Sequence, residues 1–393
     1  MAVPTRIDVM AVSGANTIVQ VTGGGIDYII ETPNGTNYLF YVDINNDPAF
    51  VKSLDGGMTW GSPTVLKNTS CTAISVWYDR WSGINADLIH VIYADSGNDD
   101  VYYRSVDAGN GDSLGTEYTV FAGVSTAAGG ALSISRMRGG NLIVVGCIDA
   151  GVEMFSKKST DVGINWADIA AGYEANADLC IVMPGWGADN QDAMMFYYDR
   201  DATEISVKYY DDSANSWSET SIATSIAIPT QATTTLGHIS AAVDLVNSQN
   251  LLAFWTAVDT ANADLRCFKV TQSAQTETTS NVVLNSTDDQ GFAGISIKGN
   301  IWYCFYAGSS NGIEVYPYYL RLYYKSSMDG GTTWGSETLI TPSWRGLVWL
   351  ATKPVSYKTI GVVQFYSIGI SGLNEYTYNA PLSIARASYQ LGM

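Results

Sequence analysis

Ser53-Leu54-Asp55-Gly56-Gly57-Met58-Thr59-Trp60 returns as Ser159-Thr160-Asp161-Val162-Gly163-Ile164-Asn165-Trp166, and again as Ser327-Met328-Asp329-Gly330-Gly331-Thr332-Thr333-Trp334. The pattern is Ser, Asp two residues on, Gly four on and Trp seven on. These residue types describe a tight turn. A carboxylate can accept backbone N–H groups across a hairpin, and glycine takes a φ > 0 position at no steric cost. The Trp then packs on a neighbouring sheet. The motif holds no nucleophile and no ligand set, so Ser53, Asp55, Gly57, Trp60, Asp161, Gly163, Trp166, Asp329, Gly331 and Trp334 mark structure. Two weakened copies lie between: Ser105-Val106-Asp107-Ala108-Gly109, with Asp112 in the Trp position, and Tyr210-Asp211-Asp212-Ser213-Ala214-Asn215-Ser216-Trp217. Thr271 occupies a further slot that has lost the pattern. Residues 55, 107, 161, 212, 271 and 329 are 52, 54, 51, 59 and 58 positions apart, the regularity of a repeat architecture.

A second periodicity runs beside the first. Asp43, Asp95, Asp149 and Asp259 each stand twelve residues before a turn position, and Asp199 stands thirteen before Asp212. Each closes a short apolar run such as Leu88–Tyr93 or Met194–Tyr198, and alternating runs such as Ile205–Tyr210 follow. Short aromatic and β-branched runs between turn residues read as strands. Each unit is therefore a four-stranded antiparallel meander, and such units set around an axis form an all-β propeller. A strand pair near the end, Ile360–Tyr366 and Glu375–Tyr378, adds a unit without the motif. Seven blades of about 56 residues fit the spacing, with six and a divergent closure as the alternative. Residues 1–393 then form one propeller domain, its ring closed where Thr17–Val21 pairs with the C-terminal strands and removes an exposed edge.

Through Ser53–Trp60, Ser159–Trp166 and Ser327–Trp334 the chain resembles the Asp-box, or BNR-repeat, family typified by sialidases. It also resembles the sialidase-like reading frames common in phage genomes. The resemblance implies a propeller but leaves the activity open, because glycosidases, polysaccharide lyases, glycan-binding modules and non-catalytic proteins share the box. Sialidase chemistry needs three arginines converging on a carboxylate, a Tyr nucleophile paired with a Glu, and an acidic acid/base. Arg6-Ile7-Asp8 is a poor echo of the family's N-terminal Arg-Ile-Pro. Arg345 is placed to be a second arginine, and no third stands clearly at the start of an inner strand. Tyr376 and Tyr378 lie late enough in the chain, but on a strand that reads as ordinary alternating β.

In such a fold the box turns face away from the usual binding face, which takes the loops after each second strand and those entering each inner strand. Asp43, Asp95, Asp149, Asp199 and Asp259 would ring that face, either as starts of Asx turns or as a polar, cation-binding rim. Asp43, Asn45 and Asp47 carry the first half of a calcium loop without its Gly and distal Glu. No cofactor is expected otherwise, and Ca2+ is the cation this loop suits. Trp344, whose other role would be packing on the adjacent blade, and Arg345 offer a sugar-stacking ring beside a cation, and His238 opens toward the same face, so these three are the candidate ligand-binding residues. His90 lies inside an apolar strand and reads as core. Trp81 and Trp186 follow inner strands, on the opposite face. No residue set supports a catalytic assignment, and no nucleotide fingerprint is present.

Composition narrows the partners. With 20 Lys+Arg against 38 Asp+Glu the net charge is −18, which disfavours binding to phosphate backbones and to anionic lipid. The five cysteines form no C-x-x-C pair and sit in or near apolar runs, as buried thiols do. No stretch approaches the ~20 apolar residues of a membrane span, and the N-terminus lacks a signal-peptide pattern. The expectation is a non-catalytic binding or structural module for glycan or protein surfaces, virion-associated or extracellular after lysis, with a cytoplasmic setting as the alternative. A sialidase-like hydrolase or a polysaccharide lyase is the enzymatic alternative.

Overall fold

A computed structural model describes residues 29–340 and 346–379, apart from 44, 58, 82–86, 124–130, 149–152, 170–176, 227–238, 256–264, 279–290, 308–321, 355, 359–361 and 369–374. Every regular element among them is a strand, and no helix is long and apolar enough to cross a membrane. The chain is an all-β propeller of four-stranded antiparallel blades. Six blades are complete, spanning residues 29–65, 71–121, 132–168, 177–223, 239–277 and 291–339, here blades 1 to 6. In blade 2 the outer strand is split, Ser113–Leu114 and Tyr118–Phe121 both pairing with Asp100–Asp107. The unit expected near the C-terminus is a three-stranded sheet, Gly346–Thr352, Val362–Ile368 and Glu375–Asn379. Thr17–Val21, expected to complete it, lies outside the described residues.

Blade 4 shows why the sequence reads as it does. Its strands run in order from the inside, Ala177–Pro184, Ala193–Asp199, Glu204–Asp211 and Ser216–Ala223. The second strand is buried at every residue, because neighbouring blades cover both of its faces. Such a strand appears as an unbroken apolar run, not as alternation. The outer strand buries Trp217 and Ala223 and leaves residues 218–221 exposed.

Serines stitch the inner strands together. Ser75 Oγ accepts the Ile134 N–H at 3.2 Å, Ser133 Oγ the Val182 N–H at 3.1 Å, and Ser240 Oγ the Ile295 N–H at 3.0 Å. Ser296 Oγ donates to the Lys353 carbonyl at 2.9 Å. All four serines are buried next to the axis. There a side chain must be small, and an inner-strand N–H facing another blade needs an acceptor. The serines are 58, 107 and 56 residues apart, one or two repeat lengths, so they form a third periodicity of the chain.

Residues 353, 354 and 356–358 form a hub between sheets. Glu31 accepts the Tyr357 N–H at 2.8 Å and the Lys358 N–H at 3.1 Å, and lies 3.4 Å from Lys353 Nζ. Pro354 O accepts the Val243 N–H, and Ser356 Oγ shares a hydrogen bond with Ser296 Oγ. The C-terminal sheet is thereby tied to blades 1, 5 and 6.

The repeated turn folds as its composition predicts. In blade 3, Ser159 Oγ donates to Asp161 Oδ1 at 2.8 Å and accepts the Gly163 N–H at 2.8 Å. Asp161 then accepts from Asn165 N and Nδ2, and Trp166 Nε1 donates to Gly163 O. Blades 1 and 6 repeat the Ser–Asp–Gly bonds at Ser53, Asp55 and Gly57 and at Ser327, Asp329 and Gly331. Gly163 is obligatory: its φ is +89°, and a Cβ there would come within 2.1 Å of the Tyr103 ring of blade 2. Trp166 meets that ring edge-on at 5.6 Å.

The weakened copies do a different job. Asp112, in the Trp position of blade 2, accepts the Tyr38 hydroxyl at 2.7 Å and pairs with Lys52 of blade 1. Asp212 of blade 4 pairs with Lys158 of blade 3, and Trp217 Nε1 reaches Ser156 Oγ of blade 3 at 3.1 Å. The Asp107 carboxylate accepts the Gly109 N–H, and its carbonyl accepts the Asn110 and Asp112 N–H groups. Thr271 still forms a turn, its Oγ1 accepting the Ala274 N–H at 3.1 Å. Cys71, Cys180, Cys267 and Cys304 are buried free thiols, as expected; the Cys147 side chain lies outside the described residues.

Candidate functional site

Antiparallel pairing places the second-to-third strand loops and the blade-to-blade connections on one face, here the upper. The first-to-second loops and the box turns lie on the lower face. His238, Trp344 and Arg345 lie outside the described residues, as do Arg6, Asp149 and Asp259. Tyr376 and Tyr378 are on the last strand, and their side chains are likewise outside the description.

The upper-face acids that are described act as turn formers. Asp43 Oδ1 accepts the N–H groups of Asn45 and Asp47 at 2.8 and 2.9 Å, while Asp47 Oδ1 accepts the Thr69 N–H at 2.6 Å and pins the connection into blade 2. Asp95 accepts Gly97 N and Asn98 Nδ2 at 2.9 Å. Asp199 Oδ1 accepts Asp201 N and Ala202 N. Asp43, Asp95 and Asp199 each accept N–H groups of their own turn, as an Asx turn requires. One carboxylate group escaped the sequence reading: ligand oxygens of Asp199, Glu204 and Glu219 lie within 4.8 Å of one another. Register sets Glu204 opposite Asp199, and on the next strand it sets Glu219 opposite Lys208. Glu204 accepts the Ser206 and Ser221 hydroxyls, and Glu219 accepts from Lys208 Nζ.

At the lower mouth, residues just past the inner strands converge. Asp79 pairs with Arg136, whose Nη1 stands 3.3 Å from His90 Nε2, and His90 Nδ1 lies 2.7 Å from the Tyr103 hydroxyl. Histidine, tyrosine and arginine are the types an eliminating lyase uses, since a uronate substrate needs a base, an acid and a charge to neutralise its carboxylate. Here His90 is 0%, Tyr103 1% and Arg136 4% exposed. Burial, and then the Arg136 charge, hold His90 well below its ordinary pKa. The group is a sealed core network, as the apolar surroundings of His90 predict.

Beside it the Arg80 guanidinium lies 5.0 Å from the Tyr357 ring and 5.9 Å from that of Trp77. Arg138 covers Trp186 at 5.2 Å while donating to the carbonyls of Gly185, Gly187 and Asp189. Trp81 meets Trp186 edge-on at 6.4 Å, and Trp186 Nε1 donates to Asn250 Oδ1. The three arginines at or just past the ends of inner strands each face different partners. Arg136 holds Asp79, Arg138 holds a loop, and Arg80 rests on aromatic rings. They do not form a carboxylate-binding triad.

No protein-family model matches the sequence, and no curated protein matches it. Solved structures do. A PL25 ulvan lyase bound to -[GlcA(1-4)Rha3S]- superposes with a TM-score of 0.58 at 11% identity, over 96% of each chain. The BP39L lectin from Burkholderia pseudomallei gives 0.57 at 14% identity, over 89% of this chain and 96% of the lectin. Trypanosoma rangeli sialidase in complex with the inhibitor DANA gives 0.50 at 12% identity, over 97% of this chain and 60% of that one. The chain is thus a propeller structurally similar to carbohydrate-active enzymes and to a lectin, a likeness of fold.

Proposed function

We propose that the chain is a non-catalytic glycan-binding propeller that presents its upper mouth to carbohydrate. The observation that carries this reading is the use made of the described upper-face acids. Asp43, Asp47, Asp95 and Asp199 spend carboxylate oxygens on backbone N–H groups, which shapes loops and leaves those oxygens ill-suited to shuttle protons. Trp344 supplies the stacking ring, Arg345 the charge for an acidic sugar, and His238 a further polar contact. The lyase complex and the lectin support a glycan as the ligand class. No cofactor is required. Calcium at Asp43, Asn45 and Asp47 would draw on the Oδ2 atoms of the two aspartates, since the N–H groups are accepted by Oδ1. The structural neighbours lend no support to a phage or virion setting, and the proposal does not depend on one.

Full-length likeness to an ulvan lyase favours one second reading, a polysaccharide lyase with His238 as base. A panel of sialosides and uronate-containing oligosaccharides separates the two. Saturable binding weakened by Trp344→Ala and Arg345→Ala, without product, supports the module; robust turnover abolished by His238→Ala supports the enzyme.

A further inference from the structure

Among the described residues, five of the seven exposed large apolar side chains stand on the lower face: Leu54 (76% exposed), Ile164 (50%), Leu245 (45%), Val246 (64%) and Met328 (77%). The other two are on outer strands. The five share more than a face. Leu54, Ile164 and Met328 are carried by the box turns of blades 1, 3 and 6, which Asp55, Asp161 and Asp329 lock with hydrogen bonds to backbone and side chain. Leu245 and Val246 sit on the turn between the first two strands of blade 5. There the Asp244 carboxylate accepts Val246 N, Asn247 N and Nδ2, and Gln249 Nε2. The Asp-organised upper turns at 95–99 and 199–203 present only polar or small residues. These four lower turns show apolar tips and these two upper turns polar ones, while the lower turns after Asp107 and Asp211 carry small or polar residues.

We infer that the lower face is a docking surface for a protein partner whose apolar sockets are bordered by Lys and Arg. Rigid turns suit this task, because side chains already fixed in place lose little freedom on binding. Charge selects the partner. A carboxylate accompanies each box-turn tip, and hydrogen bonds from Thr333 hold that of Asp329 down to about 2, so it is ionised at any physiological pH. The lysines beside two of these turns are already engaged, Lys52 by Asp112 and Lys158 by Asp212. A second copy would set like charge against like in a chain of net −18, and anionic lipid would be repelled for the same reason. Docking by this face leaves the upper mouth open and is independent of the glycan reading.

The test uses a short amphipathic Leu/Lys peptide as probe, with a Leu/Glu peptide of the same pattern as control. The chain should bind the Leu/Lys peptide in a salt-sensitive manner. The variant Leu54→Ser/Ile164→Ser/Val246→Ser/Met328→Ser should lose affinity by about tenfold or more while keeping its thermal melt. Leu54→Lys/Met328→Lys, at the two most exposed positions, should do the same through repulsion and guards against a folding defect in the larger variant. Unchanged binding by both variants would overturn the inference, as would equally tight binding of the Leu/Glu peptide. So would concentration-dependent dimerisation in sedimentation that the serine variant abolishes, since the face would then belong to a second copy.

Discussion

Lys158 Nζ stands 2.8 Å from Asp212 Oδ1, joining the residue before the intact turn of blade 3 to the weakened turn of blade 4. Lys52 and Asp112 repeat the relation between blades 1 and 2. In blade 4, which has lost the Gly, the turn's own Asp holds the lysine of the preceding blade, and in blade 2 the Asp that stands in the Trp position does so. The degenerate copies are therefore inter-blade ties rather than decayed motifs.

This relation is measurable. Lys158 and Asp212 are both about one-fifth exposed, so the pair is partly shielded from solvent and salt. A double-mutant cycle with Lys158→Met and Asp212→Asn should give a coupling energy of about 1 kcal/mol by chemical denaturation. A coupling indistinguishable from zero would reduce the contact to an incidental surface pair.

The intact turn should respond in two graded ways. Ser159→Ala leaves the buried Gly163 N–H without its acceptor and should cost about 1–3 kcal/mol. Gly163→Ala should cost more, because the new Cβ meets the Tyr103 ring in a backbone conformation that L-residues avoid. Equal or reversed effects in equilibrium unfolding would contradict the geometry.

Lys353 gives the hub a pH signature. Burial pushes its pKa from 10.5 down to about 8, against the opposing pull of Glu31. Between those values the unfolded chain binds a proton that the folded chain does not, so this group makes stability rise with pH from about 8 toward 10.5. Relative to Lys353→Met, the parent chain should gain stability across that window. Parallel pH profiles for the two proteins would count against it.

Ring closure through Thr17–Val21 falls on residues outside the described ones. We propose that Thr17–Val21 adds the fourth strand along Glu375–Asn379. Hydrogen exchange should then show alternate amides of residues 17–21 protected to a degree comparable with the 375–379 strand. Exchange at the rate of an unstructured segment would place the closure elsewhere, with the hub of residues 353, 354 and 356–358 doing that work alone.

The blades and the box turns could be read from sequence because each is local. A strand buried on both faces writes an unbroken apolar run, as at Met194–Tyr198, and a turn writes its Asp and Gly at fixed offsets. The inner-strand serines were missed although they recur at the repeat spacing. Serine has no hydrophobic signature, and its role appears only when the next blade brings an N–H to it. Asp112 was noticed as a lost Trp, but its partners Tyr38 and Lys52 lie 74 and 60 residues away. The Arg138–Trp186 and Arg80–Tyr357 contacts were illegible for the same reason, since each joins residues of different sheets. Asp43 and Asp47 were readable as turn formers or as ligands, and the Asn45 and Thr69 amides show the first of these roles.

The central claim is that the chain binds glycan without transforming it. Its most direct test is an equilibrium titration of the best-bound acidic oligosaccharide, followed by mass spectrometry of the recovered sugar. The account predicts saturable binding, lost on Trp344→Ala, with the oligosaccharide recovered at its original mass. Recovery of cleaved sugar at a rate proportional to protein, or titration with no saturable binding to any acidic or neutral glycan, would contradict it.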